Sequence, residues 1–173
     1  LTIEAGLRVE QTNVSYTLDP ANIYYPRNDS YSYFRLFPNI RLTKAIGTGT
    51  DISLFYNRRV DRPGEQEVRV FPKYDDPELL KVGNPYLRPQ FTTAYELAIQ
   101  QDWGSLNASL ALYHRTIKDA YQRIYSIDQS SGTYDIVNKI YSNTGKASNT
   151  GGELIAHWKA DKTLKLNASL NAF

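Results

Sequence analysis

The two histidines, His114 and His157, have the widest chemical range in a chain that contains no cysteine and no methionine. They stand far apart, and neither has a histidine or an acidic residue at metal-ligand spacing, so no metal site is expected. Without cysteine there is no thiolate nucleophile, no disulfide framework and no thiolate metal knuckle. Serine is plentiful, but no Gly-x-Ser-x-Gly elbow accompanies it, and a catalytic triad would have to draw its base from His114 or His157. Asp75, Asp76 and Glu78 could gather calcium, yet the segment lacks the glycine and ligand rhythm of a calcium loop and reads as a solvated acidic loop. Gly145-Lys146 has no glycine-rich lead and Gly47-Thr48-Gly49 has no following helix, so neither cradles a nucleotide. No carboxylate pair stands out for acid–base work. Neither an enzyme nor a cofactor is expected, and a β-rich hydrolase has only ordinary acidic residues in its favour.

What remains is the chemistry of binding. Basic and acidic residues number 20 and 18, with no run of Lys or Arg, so nothing marks a nucleic-acid surface. Tyrosine supplies 14 residues and favours strands over helices. The candidate ligand contacts are loop aromatics and cations: Tyr24, Tyr25, Arg27, Tyr74, Tyr86, Tyr121, Arg123 and Tyr125. Aromatic faces suit sugars and siderophores, and the same side chains serve equally well as loop anchors at a lipid interface. The sequons at Asn13, Asn28, Asn107 and Asn167 read as chance.

The elements that must position these residues show a period of two. Leu1, Ile3, Ala5, Leu7 and Val9 alternate with Thr2, Glu4, Gly6, Arg8 and Glu10. Phe34, Leu36, Ile40 and Leu42 form a second apolar face, with Phe37 an exception on the polar side and Pro38 pointing to a bulge or an edge. The same alternation recurs at Ile52–Tyr56, Tyr95–Ile99, Leu106–Leu112, Leu154–Trp158 and Leu164–Leu170. About seven strands follow, each near the length of a membrane-barrel strand. No apolar run is long enough for a membrane helix.

The connections alternate between short and long. Short turns sit at Ile46–Gly49, Asp102–Gly104 and Ala160–Lys162; long loops run from about Thr12 to Ser30, Asp61 to Gln90 and Asp119 to Ser148. In the last of these, Ile124 to Val137 could extend one hairpin, with Ser130-Ser131-Gly132 at its tip. Compact domains seldom hold three such loops, whereas transmembrane barrels have this asymmetry by construction. Trp103 and Trp158 near short turns, with Tyr24, Tyr25, Tyr31 and Tyr33 near a long loop, would make two interfacial girdles. The fold expected is an all-β, antiparallel up-and-down meander, a partial transmembrane barrel over residues 1–173. The rival is a soluble β-sandwich binding module, perhaps for carbohydrate, whose Leu and Ala faces would pack against each other.

One stretch carries a family resemblance. Phe55-Tyr56-Asn57-Arg58-Arg59-Val60-Asp61-Arg62-Pro63 leads, after an acidic stretch, to Val82-Gly83-Asn84-Pro85-Tyr86-Leu87-Arg88-Pro89 and a strand carrying Glu96. Asn143-Thr144-Gly145 is followed by Asn149-Thr150-Gly151-Gly152-Glu153-Leu154. This resembles the C-terminal barrel of TonB-dependent outer-membrane receptors, particularly the Bacteroidetes outer-membrane β-barrel family; Gln90 departs from the Glu the family often has there. The resemblance makes Arg62, Pro63, Gly83, Asn84, Pro85, Leu87, Pro89, Glu96, Gly152 and Glu153 motif residues of an architectural kind, since two prolines stiffen the lead-in and set strand register.

By the same resemblance the chain would be part of a larger receptor of about twenty-two strands. Its plug domain, which would contact the TonB complex, lies outside this sequence. A start without Met, and a Phe173 out of register with the preceding strand, fit a piece cut within a strand. The implied setting is the bacterial outer membrane, with lipid around the wall. The implied role is uptake of a siderophore, cobalamin or glycan captured by external loops. As an isolated piece the chain would expose two unpaired strand edges and could pair edge to edge.

Overall fold

The computed structural model describes the chain except residues 22–24, 26–27, 72, 77–78, 82, 129–135 and 162; for 73–76, 79–81, 128 and 136 it describes the backbone. In chain order the elements are β1 (Thr2–Tyr16), β2 (Asp29–Ile46), β3 (Thr50–Asp61), the single-turn α1 (Glu65–Val68), β4 (Lys73–Asp76), β5 (Leu79–Lys81), β6 (Gln90–Asp102), β7 (Leu106–Asp128), β8 (Ile136–Lys159) and β9 (Lys165–Ala172). The seven long strands β1, β2, β3, β6, β7, β8 and β9 pair in that order, each antiparallel to the next. The expected meander is what forms. Among the described residues β1 pairs only with β2 and β9 only with β8, so the described sheet is open.

Glycines of positive φ shape two of the short turns. Gly47 and Gly49 have φ of 63° and 78° and Gly104 has 81°, the left-handed region that a Cβ disfavours. Two neighbouring turns also lean on each other: the Asp102 N–H donates to the Gly49 carbonyl at 2.7 Å. At the third, Asp161 accepts from the backbone of Thr163 and Leu164 at 2.6 and 2.8 Å, a side-chain substitute for a glycine turn.

Strand register turns seven separate alternations into one surface. Ile3, Leu42, Leu54, Leu97 and Leu112 lie directly opposite one another across five strands, and the row continues through Gly152 of β8 to Ala172 of β9. A parallel row joins Ile52, Ile99, Leu110, Leu154 and Leu170. Cross-strand partners share a face, so every apolar stripe lands on the same side. These side chains remain exposed: Leu54 is 52% accessible, Leu112 49% and Leu170 65%. The described strands form a single sheet. A sandwich would have buried its Leu and Ala faces against each other, so that rival reading fails on the architecture.

Phe37 and Pro38, the two awkward residues of β2, have a common explanation. β2 pairs with β3 only from Asn39 onward; before Asn39 it is held by β1 alone. Pro38, which has no N–H, is the first residue beyond the shared ladder, so a local edge and not a bulge accommodates it. Phe37 fills the wedge left by the parting strands. It is 5% exposed, stacks on Phe91 at 6.4 Å between centroids, and carries the Arg8 guanidinium 5.0 Å from its ring.

The long connections are more ordered than their composition suggests. The ladder of β7 and β8 runs on through most of 119–148, with register shifts between Lys118 and Ala120 and between Ala120 and Tyr121. The expected hairpin extension is real, and its Ser130–Gly132 tip lies outside the described residues. Within the 61–90 connection, α1, β4 and β5 form, and β5 lies parallel to β8, a departure from the purely antiparallel meander.

Candidate functional site

The motif residues converge at the loop end of the sheet, where Gly83 to Pro89 ties non-neighbouring strands together. Pro85 and Pro89 hold their own φ and keep Asn84 and Arg88 extended. Gly83 backs onto the end of α1 so closely that a Cβ would lie 2.3 Å from the Arg69 nitrogen and 2.8 Å from the Glu67 oxygen. The next N–H, that of Asn84, donates to the Glu67 carbonyl at 2.6 Å. Asn84 folds its own turn by accepting from the Tyr86 N–H at 2.9 Å, and donates to the Tyr141 carbonyl on β8 at 2.9 Å. Leu87, 1% exposed, is the most buried side chain described.

Tyrosines and one ion pair fasten the other flank. The Tyr16 hydroxyl donates to the Pro85 carbonyl and the Tyr25 hydroxyl to the Gly83 carbonyl. Burial pushes both phenols up to about 12, so both remain donors at any ordinary pH. Arg88 donates to Asp29 at 2.6 Å and lies 4.7 Å from the Tyr31 ring centroid. That hydrogen bond holds the Asp29 carboxyl below its ordinary 3.8. The Arg88 Nη1 is buried without a hydrogen-bond partner among the described residues.

Asn143 closes the clasp on β8. Its side chain accepts the Arg88 N–H at 2.9 Å and donates to the Arg88 carbonyl at 3.0 Å and the Asp119 carbonyl at 2.7 Å. Asp119 has a φ of 56°, uncommon for a residue with a Cβ, and Gly145 a φ of 104°. The Asn-x-Gly pattern therefore belongs to the β-bulge: Asn143 caps the displaced carbonyl and Gly145 supplies the left-handed backbone beside it. The clasp thus reaches from β1 and β2 to β8, past the ends of three intervening strands.

Arg62 bridges the wedge between β2 and β3. Its guanidinium donates to the Glu10 carboxylate and, at 2.8 Å, to the Tyr33 hydroxyl. Pro63 and Leu87 line a mostly apolar cleft of about 340 Å³ with Val14, Tyr16 and Tyr31. Glu96 lines a smaller recess of mixed polarity, about 160 Å³, with Phe55, Asn57, Arg59, Tyr113 and Arg115, where the Arg115 guanidinium lies 4.6 Å from the Tyr113 ring centroid. Gly151 leaves room for that ring, since a Cβ there would meet the Tyr113 hydroxyl at 2.6 Å. Gly152 and Glu153 continue β8 opposite Leu112 and Ala111.

The candidate contacts divide by position. Tyr25 and Tyr86 meet edge to face at 5.4 Å inside the clasp. The Tyr121 hydroxyl donates to the Arg62 carbonyl at 3.4 Å, and Arg123 donates to the Tyr141 hydroxyl at 3.1 Å. Tyr125 is 58% exposed on the β7 extension. The backbone of Tyr74 lies in β4; Tyr24 and Arg27 lie outside the described residues. Tyr16 and Asp29 belong to no motif in the sequence, and Tyr31 and Asn143, legible as a girdle aromatic and as part of an Asn-x-Gly pattern, gave no sign of their partners, because the bonds to the clasp span 55 to 69 residues. No group of three or more His, Asp or Glu gathers among the described residues.

A family model described as the outer membrane protein β-barrel family matches residues 1–173. No curated protein sequence matches. Among solved structures the chain resembles a copper transporter, OprC, at 18% identity and a TM-score of 0.68, over 98% of this chain and 26% of that one. It also resembles the Serratia marcescens hemophore receptor HasR, at 19% identity and a TM-score of 0.64, over 91% and 29%. The siderophore receptor PirA of Pseudomonas aeruginosa gives 15% identity and a TM-score of 0.62, over 97% and 35%. The chain spans about a quarter to a third of the length of these proteins.

Proposed function

The chain belongs to the outer membrane protein β-barrel family, and from that premise we propose that it forms part of the wall and outer loops of a TonB-dependent nutrient receptor. The carrying observation is the single sheet whose apolar rows, one from Ile3 on β1 to Leu112 on β7 and one from Ile52 on β3 to Leu170 on β9, lie on one face while the acidic residues lie on the other. Such a surface needs lipid on one side and water on the other.

The likeness to transporters and receptors for copper, heme-bearing hemophore and siderophore supports a scarce, chelated nutrient as cargo. The clasp holds the loop ends in place, so that recognition rests on rigid supports. Tyr121, Arg123 and Tyr125, on β7 beyond the bulge, are the candidate contacts this reading favours. The whole receptor would transport its ligand unchanged, which accords with the absence of any catalytic constellation in the sequence.

The test uses the whole protein in its outer membrane. Its deletion should abolish energised uptake of one class among ferric siderophore, heme, copper chelate, cobalamin and glycan, and the purified protein should bind that class in detergent. Uptake of all five unaffected by deletion, together with no binding, would overturn the receptor reading and leave the barrel assignment standing.

A further inference from the structure

The lipid-facing side of the sheet carries charge of one sign only. From the short turns up to the bulge, the cross-strand register assigns Glu4, Glu10, Asp51, Asp61, Glu96, Asp102 and Glu153 to the polar face. On the apolar face the charged residues are Lys44 near the turns and Arg58, Lys118 and Lys146 at the loop end. A chain with net charge +2 has therefore sorted its acids away from the lipid side.

The loop-end cations are grouped. Lys118 is paired directly with Lys146 across β7 and β8, an arrangement that costs stability unless an anion sits between them. Arg58 belongs to the row just below, in line with Thr93, Thr116 and Ser148, three hydroxyls on the same face. Arg58 and Lys146 are three strand spacings apart, roughly 14 Å at about 4.8 Å per strand. None of the three cations has an ion-pair partner among the described residues.

Their height is that of the lipid headgroups. Lys118 lies twelve residues along β7 from Leu106, roughly 40 Å of strand. At a tilt of about 40° that is about 30 Å of height, just past an apolar band about 25 Å tall. Below the cations, in the upper part of that band, runs an aromatic row, Tyr56, Tyr95 and His114, with His114 hydrogen-bonded to Thr150 at 2.6 Å. Aromatic rings of this kind settle at the boundary between acyl chains and headgroups.

We infer that Arg58, Lys118 and Lys146, with the hydroxyls beside them, dock the phosphorylated headgroup of an outer-leaflet lipid against β3, β6, β7 and β8. The span suits a headgroup with two phosphates, one between the lysines and one at Arg58. This rests on membrane placement and not on the nutrient-receptor reading, and its test involves no uptake.

The experiment puts the whole barrel protein in phosphatidylcholine nanodiscs containing lipid A, a diphosphorylated glycolipid, and measures retained lipid by native mass spectrometry. The wild type should hold lipid A better than its dephosphorylated form, a comparison that needs no variant. Lys118→Gln with Lys146→Gln should weaken retention about tenfold or more, while Lys118→Arg with Lys146→Arg, and Lys44→Gln at the other rim, should retain it. Equal retention of both lipid forms, or full retention by the glutamine variant, would overturn the inference. Displacement of the lipid by inorganic phosphate would assign the site to a soluble anion instead.

Discussion

Asn143 satisfies three backbone groups of two separate segments, so its removal strands polar atoms that have no other partner at hand. Asn143→Ala should cost about 1–3 kcal/mol, read as a lower urea midpoint for the folded barrel. Gly83 makes a sharper case, because what a Cβ would strike is backbone on α1, which cannot rotate away. Gly83→Ala should lower stability by about 2 kcal/mol or more, whereas Gly6→Ala, with nothing within 4 Å of the added carbon, should be tolerated. The Arg88–Asp29 pair has a defined pH sense. Asp29 titrates lower in the folded protein than its ordinary 3.8, so its contribution is present above that value and is lost as pH falls through the folded value. Protection factors for hydrogen exchange at Arg88 and its neighbours, which remove the intrinsic pH dependence of exchange, should fall only under such acid conditions, and a fall near pH 6 would contradict the assignment.

At the scale of elements, the strands on the apolar face were legible because membrane burial enforces a strict period of two, and seven stripes kept that period through their cores. The clasp was legible as a stiff segment, since two prolines announce it, but its partners were not. Tyr16 and Asp29 look like ordinary strand-end residues, and Asn143 like one member of an Asn-x-Gly pattern, until the fold brings them together. Phe37 was visible only as an exception, because its reason is the parting of β2 from β3, a fact of tertiary pairing. The connection from Asp119 to Ser148 was legible only in part, as the hairpin of Ile124 to Val137, because polar residues that mark a loop in a soluble domain also suit strands that rise clear of the membrane into water. The alternation itself makes a prediction. Leu97→Arg should cost about 2–4 kcal/mol of folding into vesicles, and Ala98→Arg, one residue on and on the other face, much less. Heat-modifiable migration on gels after refolding measures both.

At the scale of the whole molecule, the described sheet buries few apolar side chains within itself, with Tyr25, Phe37 and Leu87 its buried hydrophobic residues. Its stability must come from lipid on the apolar face and from the hydrogen-bonded ladders, with the clasp fixing one end. The central claim is therefore that one face of this sheet meets lipid and the other water. The chain has no cysteine, so single cysteines at Leu97, Ala98, Ile99 and Gln100 can each carry a fluorophore in the refolded whole protein in bilayers. Quenching by a lipid-borne quencher should be strong at 97 and 99 and weak at 98 and 100, with the reverse pattern for a water-soluble quencher. Uniform quenching along β6 by either agent would contradict the account.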